Sequence, residues 1–179
     1  MRAARCSGSG ITCEALAASV EDSGGVYVVP AFTGLGAPYW DPEAKGLITG
    51  ITRATTKAHI TRATLESMAY SAKDLVIVME KESGIKLSEL KCDGGASSND
   101  LLMQFQADVL GVGVNRPREK ESTALGAVYL CALGLNLIKK EDISDLRECE
   151  KFFEPKYDEV KYEKLYDGWK RAVGRCLHD

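Results

Sequence analysis

The chain has 179 residues, of which 45% are hydrophobic and 27% are charged, and its net charge is −3. This length is enough for one domain of ordinary size, and the composition has the balance of a soluble globular protein. The basic residues near the C-terminus are interleaved with acids and form no stripe, which excludes nucleic acid and a membrane surface as expected partners.

The first half of the chain is predicted to hold short strands and one long helix. Residues 1–12 are small, polar and glycine-rich, and we expect a disordered leader there. A loop over residues 30–45 is rich in glycine, proline and aromatic residues, and long ordered loops are often functional. The predicted elements are a helix over 14–20, strands over 26–29 and 46–52, and a helix over 56–82. Apolar residues of the long helix recur every three or four positions, namely Leu65, Met68, Ala69, Ala72, Leu75, Val76 and Met79.

The second half alternates strands with helices. The predicted elements are strands over 87–92 and 112–115, helices over 99–111, 123–133 and 157–177, and a helical turn over 139–146. The second of these strands is expected to end before Pro117. Buried positions of the last helix are expected at Val160, Leu165, Trp169 and Val173. This order indicates an α/β domain whose sheet is at least partly parallel.

The most informative local feature is the junction at residues 90–99. A strand ends, Gly94 and Gly95 turn the chain, and Ser and Asn stand where a helix begins. Glycine permits a positive φ and a close approach of a ligand, and a helix N-terminus offers free N–H groups to a phosphate. The alternative is an ordinary strand-to-helix turn, which is the commoner structure for such a sequence.

Other candidate residues have two interpretations each. Tyr39 and Trp40 in the long loop could line a ligand pocket, but aromatic residues more often pin such a loop onto the domain. Glu66 is either buried and hydrogen-bonded or at the edge of its helix. Four basic residues near the start of the long helix could meet phosphate but are more often solvent-facing, namely Arg53, Lys57, His59 and Arg62. No nucleophile–base arrangement and no Walker A sequence is present.

The six cysteines, at positions 6, 13, 92, 131, 149 and 176, have no C-x-x-C spacing, and only two histidines accompany them. A zinc site is therefore not expected. Cys92 and Cys131 are expected to be small core residues in a reducing compartment. Because no secretory signal and no segment of bilayer-spanning length is found, the expected location is the cytoplasm.

Several stretches together resemble a known family. The sequence VYVVPAFTGLGAPYWDP (residues 26–42) is similar to a stretch typical of glycerol kinases. The C-terminal signature of the wider FGGY carbohydrate-kinase family resembles GLITGI (46–51) and HITRATLE (59–66). Its adenosine-binding segment resembles DGGASSN (93–99) with MQFQ (103–106), and TALGA (123–127) looks like the next helix. The resemblance extends from about residue 13 to residue 178.

This resemblance implies a fold, a cofactor and a site. The fold would be α/β, an actin-like (ribonuclease H-like) ATPase C-terminal domain without its first strands, with residues 13–179 as a partial nucleotide-binding domain. The partners would be ATP or ADP with Mg²⁺. Gly95 and Ala96 would lie against the phosphates and ribose, and Asn99 would contact the nucleotide. Gly94 would shape the turn, and Gly126 would allow close packing behind it.

The resemblance also implies what the chain lacks. The N-terminal domain of these kinases, with the glycerol-binding residues and the catalytic aspartate, is not represented, so no catalytic residue and no metal ligand is assigned. Glycerol is expected to bind only with that domain, and the chain alone is expected to be inactive. An unpaired sheet edge would favour marginal stability or self-association, and a homo-oligomer is possible. The alternatives are a non-catalytic nucleotide- or partner-binding remnant, a sugar kinase such as a xylulokinase, and a gene fragment without function.

Overall fold

The computed structural model describes residues 12–119, 121–143, 148–156 and 158–178. The predicted leader, apart from Thr12, lies outside these ranges. In chain order the elements are α1 (Cys13–Ala17), β1 (Tyr27–Val29), β2 (Leu47–Thr49), α2 (Lys57–Ser83), β3 (Glu89–Lys91), α3 (Asp100–Leu110), β4 (Gly113–Pro117), α4 (Ser122–Gly134), β5 (Cys149–Phe153) and α5 (Glu159–Gly174). Two short 3-10 helices cover Gly95–Ser98 and Lys140–Ile143.

The described strands form two small sheets. β1 and β2 pair antiparallel, while β3, β4 and β5 form a second sheet in that order. β3 and β4 are parallel and β5 is antiparallel to β4, so the predicted partly parallel α/β arrangement is confirmed. β5 was not predicted. Contrary to the prediction, β4 includes Pro117, because the register shifts between Arg116 and Pro117 and proline is tolerated at such an irregularity.

The long helix α2 forms as predicted, but Ala69 is the only one of its predicted apolar positions that is buried. Met68, Leu75 and Met79 are 45%, 42% and 68% exposed. The buried positions of α2 are instead small, aromatic or polar, namely Ala58, Ala63, Glu66, Ser67, Ala69, Tyr70, Lys73 and Asp74. Hydrophobicity alone misleads here because the buried polar side chains have hydrogen-bond or ion-pair partners, which lowers the cost of burying them.

The core joins α2, α3 and α5 through aromatic side chains. Trp169 of α5 stacks on Tyr70 of α2 with ring centroids 5.5 Å apart, and Phe105 of α3 meets Tyr70 edge-on at 5.4 Å. Trp169 and Val173 are buried as predicted, whereas Val160 is 81% exposed. The difference at Val160 arises because α5 begins only at residue 159, so its first turn lies at the periphery.

Helix α4 has an apolar composition but no buried residue. Val128 and Leu130 on this helix are 60% and 70% exposed. Cys131, which was expected in the core, is exposed as well, and Cys92 is only half-buried. The described part of the chain therefore leaves the apolar surface of α4 largely uncovered. None of the described helices combines the length and the apolar character needed to cross a membrane.

Candidate functional site

The glycine turn, defined as residues 94–99, connects β3 to α3 at the edge of the sheet. Just before it, the N–H of Cys92 donates to the carbonyl oxygen of Asn115 on β4, at 3.1 Å. Gly94 has φ of 79° and ψ of 175°, a conformation that is essentially restricted to glycine. The hydroxyl of Ser97 donates to the carbonyl oxygen of Gly94 at 2.7 Å. The turn is thus closed on itself, and Gly94 is needed for its backbone conformation.

Gly95 and Ala96 form the exposed part of the glycine turn. Neither of their backbone N–H groups donates to another described residue. A Cβ added at Gly95 would meet no atom within 4 Å, and the φ of Gly95 is not in the left-handed region. Neither packing nor backbone conformation therefore requires glycine at position 95. What its missing side chain provides is open access to two unused N–H donors.

Asn99 ends the turn and serves as the N-cap of α3. Its Oδ1 accepts the backbone N–H of Leu102 at 2.9 Å, which fixes the orientation of the half-buried side chain. No hydrogen bond from the amide nitrogen Nδ2 to another described residue is present. Asn99 thus combines a structural role with a donor that remains available at the same edge as Gly95 and Ala96.

The N-terminus of α3 offers fewer free N–H groups than the sequence suggested. Besides the bond from Leu102 to Asn99, the N–H of Leu101 donates to Oε1 of Glu14 at 3.1 Å. The carboxylate of Glu14, on α1, supplies the negative charge that a helix N-terminus favours. The N–H groups of Gly95 and Ala96, in contrast, have no partner among the described residues and are open to an anion. Glu14 itself carries no local sequence signal for this contact, because it comes from a distant part of the chain.

Charged side chains hold the glycine turn from the side of the sheet. Arg116 of β4 is 5% exposed, and its Nη1 donates to the carbonyl oxygen of Ser97 at 2.9 Å and to Oδ1 of Asp100 at 2.7 Å. Lys151 of β5 donates to Oδ2 of Asp100 at 2.6 Å. Hydrogen bonds from Lys151 and then Arg116 hold the pKa of Asp100 below its usual value. None of the three residues could be predicted from the sequence, because only tertiary structure brings them together.

A cleft of about 420 Å³ opens beyond the end of β4, beside α4. Because β3 and β4 run parallel, this cleft and the glycine turn lie at the same edge of the sheet. Polar groups of Ser122 and Tyr129 line it, together with the ion pair between Arg118 and Glu148 at 2.9 Å. Gly126 also lines the cleft, and a Cβ there would meet nothing within 4 Å. The close packing expected at Gly126 is therefore not made within the described chain.

The described residues offer no site built for a metal ion. No group of three or more His, Cys, Asp or Glu side chains in the described ranges could hold one. Mg²⁺ in phosphoryl-transfer sites is held largely by phosphate oxygens and water, with only one or two carboxylates. A Mg²⁺ ion bound together with a nucleotide would therefore be held mainly by phosphate oxygens and water.

Of Tyr39 and Trp40 in the long loop, only Tyr39 has one of the predicted roles. The hydroxyl of Tyr39 donates to Oδ2 of Asp74 at 2.9 Å and pins the loop to α2, as the packing interpretation predicts. Asp74 also accepts hydrogen bonds from Tyr166 at 2.5 Å and from Trp169 at 2.8 Å. Burial, then the charge of Asp74, raises the pKa of Tyr39. Trp40 is 76% exposed and has a φ of 54°, so it neither pins the loop nor is buried in a pocket.

The basic residues at the start of α2 differ in their exposure and in their partners. Arg53 and Lys57 face solvent as predicted. Arg62 does not, since its side chain is only 14% exposed and its Nε lies 2.8 Å from Oε1 of Glu66. Glu66 is buried, which resolves the question that the sequence left open. Burial raises the pKa of Glu66, against the opposing effect of Arg62. His59 caps the helix, because its Nδ1 accepts the backbone N–H of Thr56 at 3.2 Å.

Comparisons with known proteins extend this description. The family model for the FGGY family of carbohydrate kinases, C-terminal domain, matches residues 5–135. A glycerol kinase of Saccharolobus islandicus is 56% identical over 165 residues, which cover 92% of this chain and 33% of that relative. Glycerol kinase 2 of Sulfolobus acidocaldarius is 58% identical over 92% of this chain and 33% of its own length. The chain thus spans about a third of the length of the curated relatives it matches.

Solved structures of carbohydrate kinases have the same fold as this chain. The glycerol kinase of Plasmodium falciparum, crystallised with ADP, superposes with a TM-score of 0.83 at 35% identity, over 93% of this chain and 34% of that one. A xylulose kinase from Lactobacillus acidophilus superposes with a TM-score of 0.80 at 23% identity, over 93% of this chain and 34% of that one, and so shares the fold alone. These likenesses confirm the predicted actin-like, ribonuclease H-like ATPase fold. The chain belongs to the FGGY family of carbohydrate kinases, and residues 5–135 correspond to its C-terminal domain.

Proposed function

We propose that this chain is the nucleotide-binding part of a glycerol kinase, an enzyme that transfers the γ-phosphate of ATP to glycerol and forms glycerol 3-phosphate. The observation that carries the proposal is the glycine turn, where two exposed N–H groups and the amide nitrogen Nδ2 of Asn99 have no partner among the described residues. Support comes from the glycerol kinases that are 56% and 58% identical to the chain, and from the structural likeness to a glycerol kinase crystallised with ADP.

In this proposal each residue of the glycine turn has a separate task. Gly94 sets the backbone conformation, and the missing side chain of Gly95 lets the nucleotide approach the backbone. The N–H groups of Gly95 and Ala96 donate to phosphate or ribose oxygens, and Nδ2 of Asn99 donates to the nucleotide. Mg²⁺ arrives on the phosphates of ATP, where it neutralises charge during phosphoryl transfer.

The chain covers 33% of the length of its glycerol-kinase relatives, so it is proposed to supply only one wall of the cleft. Glycerol and the catalytic base would be held by other parts of such a kinase, and closure of the two walls would exclude water. We propose that these 179 residues bind ATP or ADP without phosphorylating glycerol. Glycerol-dependent formation of ADP by the purified chain, abolished by a substitution at Gly95, would refute this part of the proposal.

Glycerol is proposed as the acceptor in preference to a sugar. The curated glycerol kinases match at 56–58% identity, whereas the xylulose kinase of similar fold shares 23%. The cytoplasm is proposed as the location, since Cys131, Cys149 and Cys176 are free thiols, as is usual in a reducing compartment. Self-association is also proposed, because apolar residues of α4 such as Leu130 lie exposed.

Calorimetric titration with Mg-ADP and Mg-ATP tests the nucleotide site. The variant Gly95→Val fills the open approach to the two N–H donors, and Gly36→Val is the matched control. Gly36 is exposed, has no atom within 4 Å of an added Cβ and lies in the long loop. We expect the chain and Gly36→Val to bind alike, and Gly95→Val to bind at least about tenfold more weakly, a loss of about 1.4 kcal/mol. Equal binding by all three proteins, or no binding by the unaltered chain, would contradict the proposal.

A further inference from the structure

Arg116 is the one buried cation that contacts the glycine turn within the described part of the chain. It lies on the central strand β4, and one nitrogen of its guanidinium group reaches both the carbonyl oxygen of Ser97 and the carboxylate of Asp100. Ser97 precedes Asn99 by two positions and Asp100 follows it directly. A single side chain therefore holds the backbone on both sides of Asn99.

Strand β5 completes the surroundings of Arg116. Oε2 of Glu150 lies 3.3 Å from its Nε, close enough for an ion pair although not aligned for a hydrogen bond. The guanidinium group lies over the ring of Phe153 at 5.3 Å. Lys151 reaches the second oxygen of Asp100 at 2.6 Å and also lies over Phe153, at 4.9 Å. The glycine turn thus follows β3 directly in sequence and is connected to β5 through charged side chains.

The chemistry of these contacts needs arginine. The planar guanidinium group presents several N–H donors in a fixed geometry, which allows one side chain to hold a carbonyl and two carboxylates at once. Lysine has the same charge but a single nitrogen on a flexible stem, so it cannot reproduce this arrangement. At 5% exposure, Arg116 is too buried to meet a ligand itself. Any effect on a bound nucleotide must pass through the backbone that it holds.

We propose that Arg116 is a positioning residue for nucleotide binding. It fixes the directions of the N–H groups of Gly95 and Ala96 and of the Asn99 side chain by holding Ser97 and Asp100. The inference rests on the proposed nucleotide site at the glycine turn. A merely structural role would be different, since an arginine that only joins β4 to β5 would affect the melting temperature and leave the geometry of the turn and its ligand affinity unchanged.

The test compares Arg116→Lys with Arg53→Lys, in which an exposed arginine outside the glycine turn and the cleft loses its geometry but not its charge. Two quantities are measured well below the melting temperature. They are the amide resonances of Gly95 and Ala96 in the nucleotide-free protein, by two-dimensional ¹H–¹⁵N NMR, and the affinity for Mg-ADP, by calorimetry. We expect Arg116→Lys to shift both resonances and to weaken Mg-ADP binding about tenfold, as the loss of one charge-assisted hydrogen bond implies. Arg53→Lys should change neither.

A lower melting temperature of Arg116→Lys with unchanged resonances and unchanged affinity would overturn the inference. If Arg116→Lys does not fold, Asp100→Asn replaces it, because the Asp100 side chain is 47% exposed and its substitution weakens the same contact from the outer side. Asp100→Asn is expected to shift the same two resonances, and unchanged resonances would overturn the inference. If the unaltered chain binds no nucleotide, the proposed function fails, but the resonances still decide whether Arg116 positions the turn.

Discussion

The carboxylate of Glu14 accepts the backbone N–H of Leu101 at 3.1 Å, across 87 positions of sequence. The contact places an anion of the protein itself at the N-terminus of α3. It separates two pairs of donors: the N–H groups of Leu101 and Leu102 in α3, which are used, and those of Gly95 and Ala96 in the adjacent turn, which have no partner among the described residues.

This division can be tested by removing the anion. Glu14→Ala should lower the free energy of unfolding by about 0.5–1 kcal/mol, through loss of an acceptor and of a favourable charge at the helix N-terminus. Glu21→Ala, at an exposed position beyond α1, is the control and should have little effect. We expect Mg-ADP affinity to change less than about twofold in Glu14→Ala, which corresponds to less than about 0.4 kcal/mol. A large gain in affinity would mean that α3, and not the turn, receives the phosphate.

The two tasks of Asn99 can be separated by two substitutions. Asn99→Ser keeps a good N-cap acceptor but removes the amide donor, so the melting temperature should stay close to that of the unaltered chain while nucleotide binding weakens. Asn99→Ala removes both, so it should also lose about 1 kcal/mol of stability. Chemical denaturation and calorimetric titration of both variants give the two quantities. Unchanged affinity in Asn99→Ser would show that its amide makes no contact with nucleotide.

The two adjacent glycines should respond differently to alanine. At Gly94 the φ of 79° makes any side chain unfavourable, so Gly94→Ala should cost about 1–3 kcal/mol of stability. At Gly95 the backbone is unstrained and the surroundings are open, so Gly95→Ala should have little effect on stability. Urea denaturation of the pair is the measurement. Equal losses would show that position 95 is also constrained by its conformation.

The hydroxyl groups of Tyr39 and Tyr70 make a matched pair. Tyr39 donates to Asp74, whereas the buried hydroxyl of Tyr70 has no hydrogen-bond partner among the described residues. Tyr39→Phe should therefore cost about 1 kcal/mol, and Tyr70→Phe should be neutral or stabilising because it removes an unsatisfied polar group. Thermal unfolding of the two variants checks this. If Tyr70→Phe is the more damaging, the buried hydroxyl has a partner after all.

Glu66 gives the stability a pH dependence whose sign is fixed by its raised pKa. Because the folded chain holds this proton more tightly than the unfolded chain, the contribution of Glu66 is fully present below a pH of about 4.5 and is lost as the pH rises through the higher folded pKa. Glu66→Gln, which stays neutral, should therefore gain melting temperature relative to the unaltered chain between pH 4 and pH 8. Glu82→Gln, exposed on the same helix, is the control. A difference that does not vary with pH would exclude this role of Glu66.

The sequence predicted the fold where local patterns decide it. Turn and cap residues mark the limits of α2 and α3, and Gly84 and Gly111 end these helices in the left-handed conformation. The sequence failed where partners come from elsewhere. Lys73 is 9% exposed because Glu163 pairs with it at 2.7 Å across 90 positions, and no periodicity shows that.

The same limit applies to the candidate site. Gly94, Gly95, Ala96 and Asn99 are neighbours in sequence, so a motif could point to them, and their contacts with nucleotide remain predictions. Arg116 lies one position beyond the predicted strand at 112–115, and nothing local shows that its side chain reaches the turn. The contact between Arg116 and the turn depends on how β3, β4 and β5 pair, which the sequence does not reveal.

The two tryptophans of the chain occupy opposite environments, with Trp40 exposed on the loop and Trp169 stacked on Tyr70 at 1% exposure. The protein therefore carries two separate optical probes. Iodide should quench the emission of Trp40 while the fold is intact, leaving a blue-shifted signal from Trp169 that reports on the core. With Trp40→Phe, intrinsic fluorescence becomes a direct readout of whether α2 and α5 are packed together in each of the variants described above.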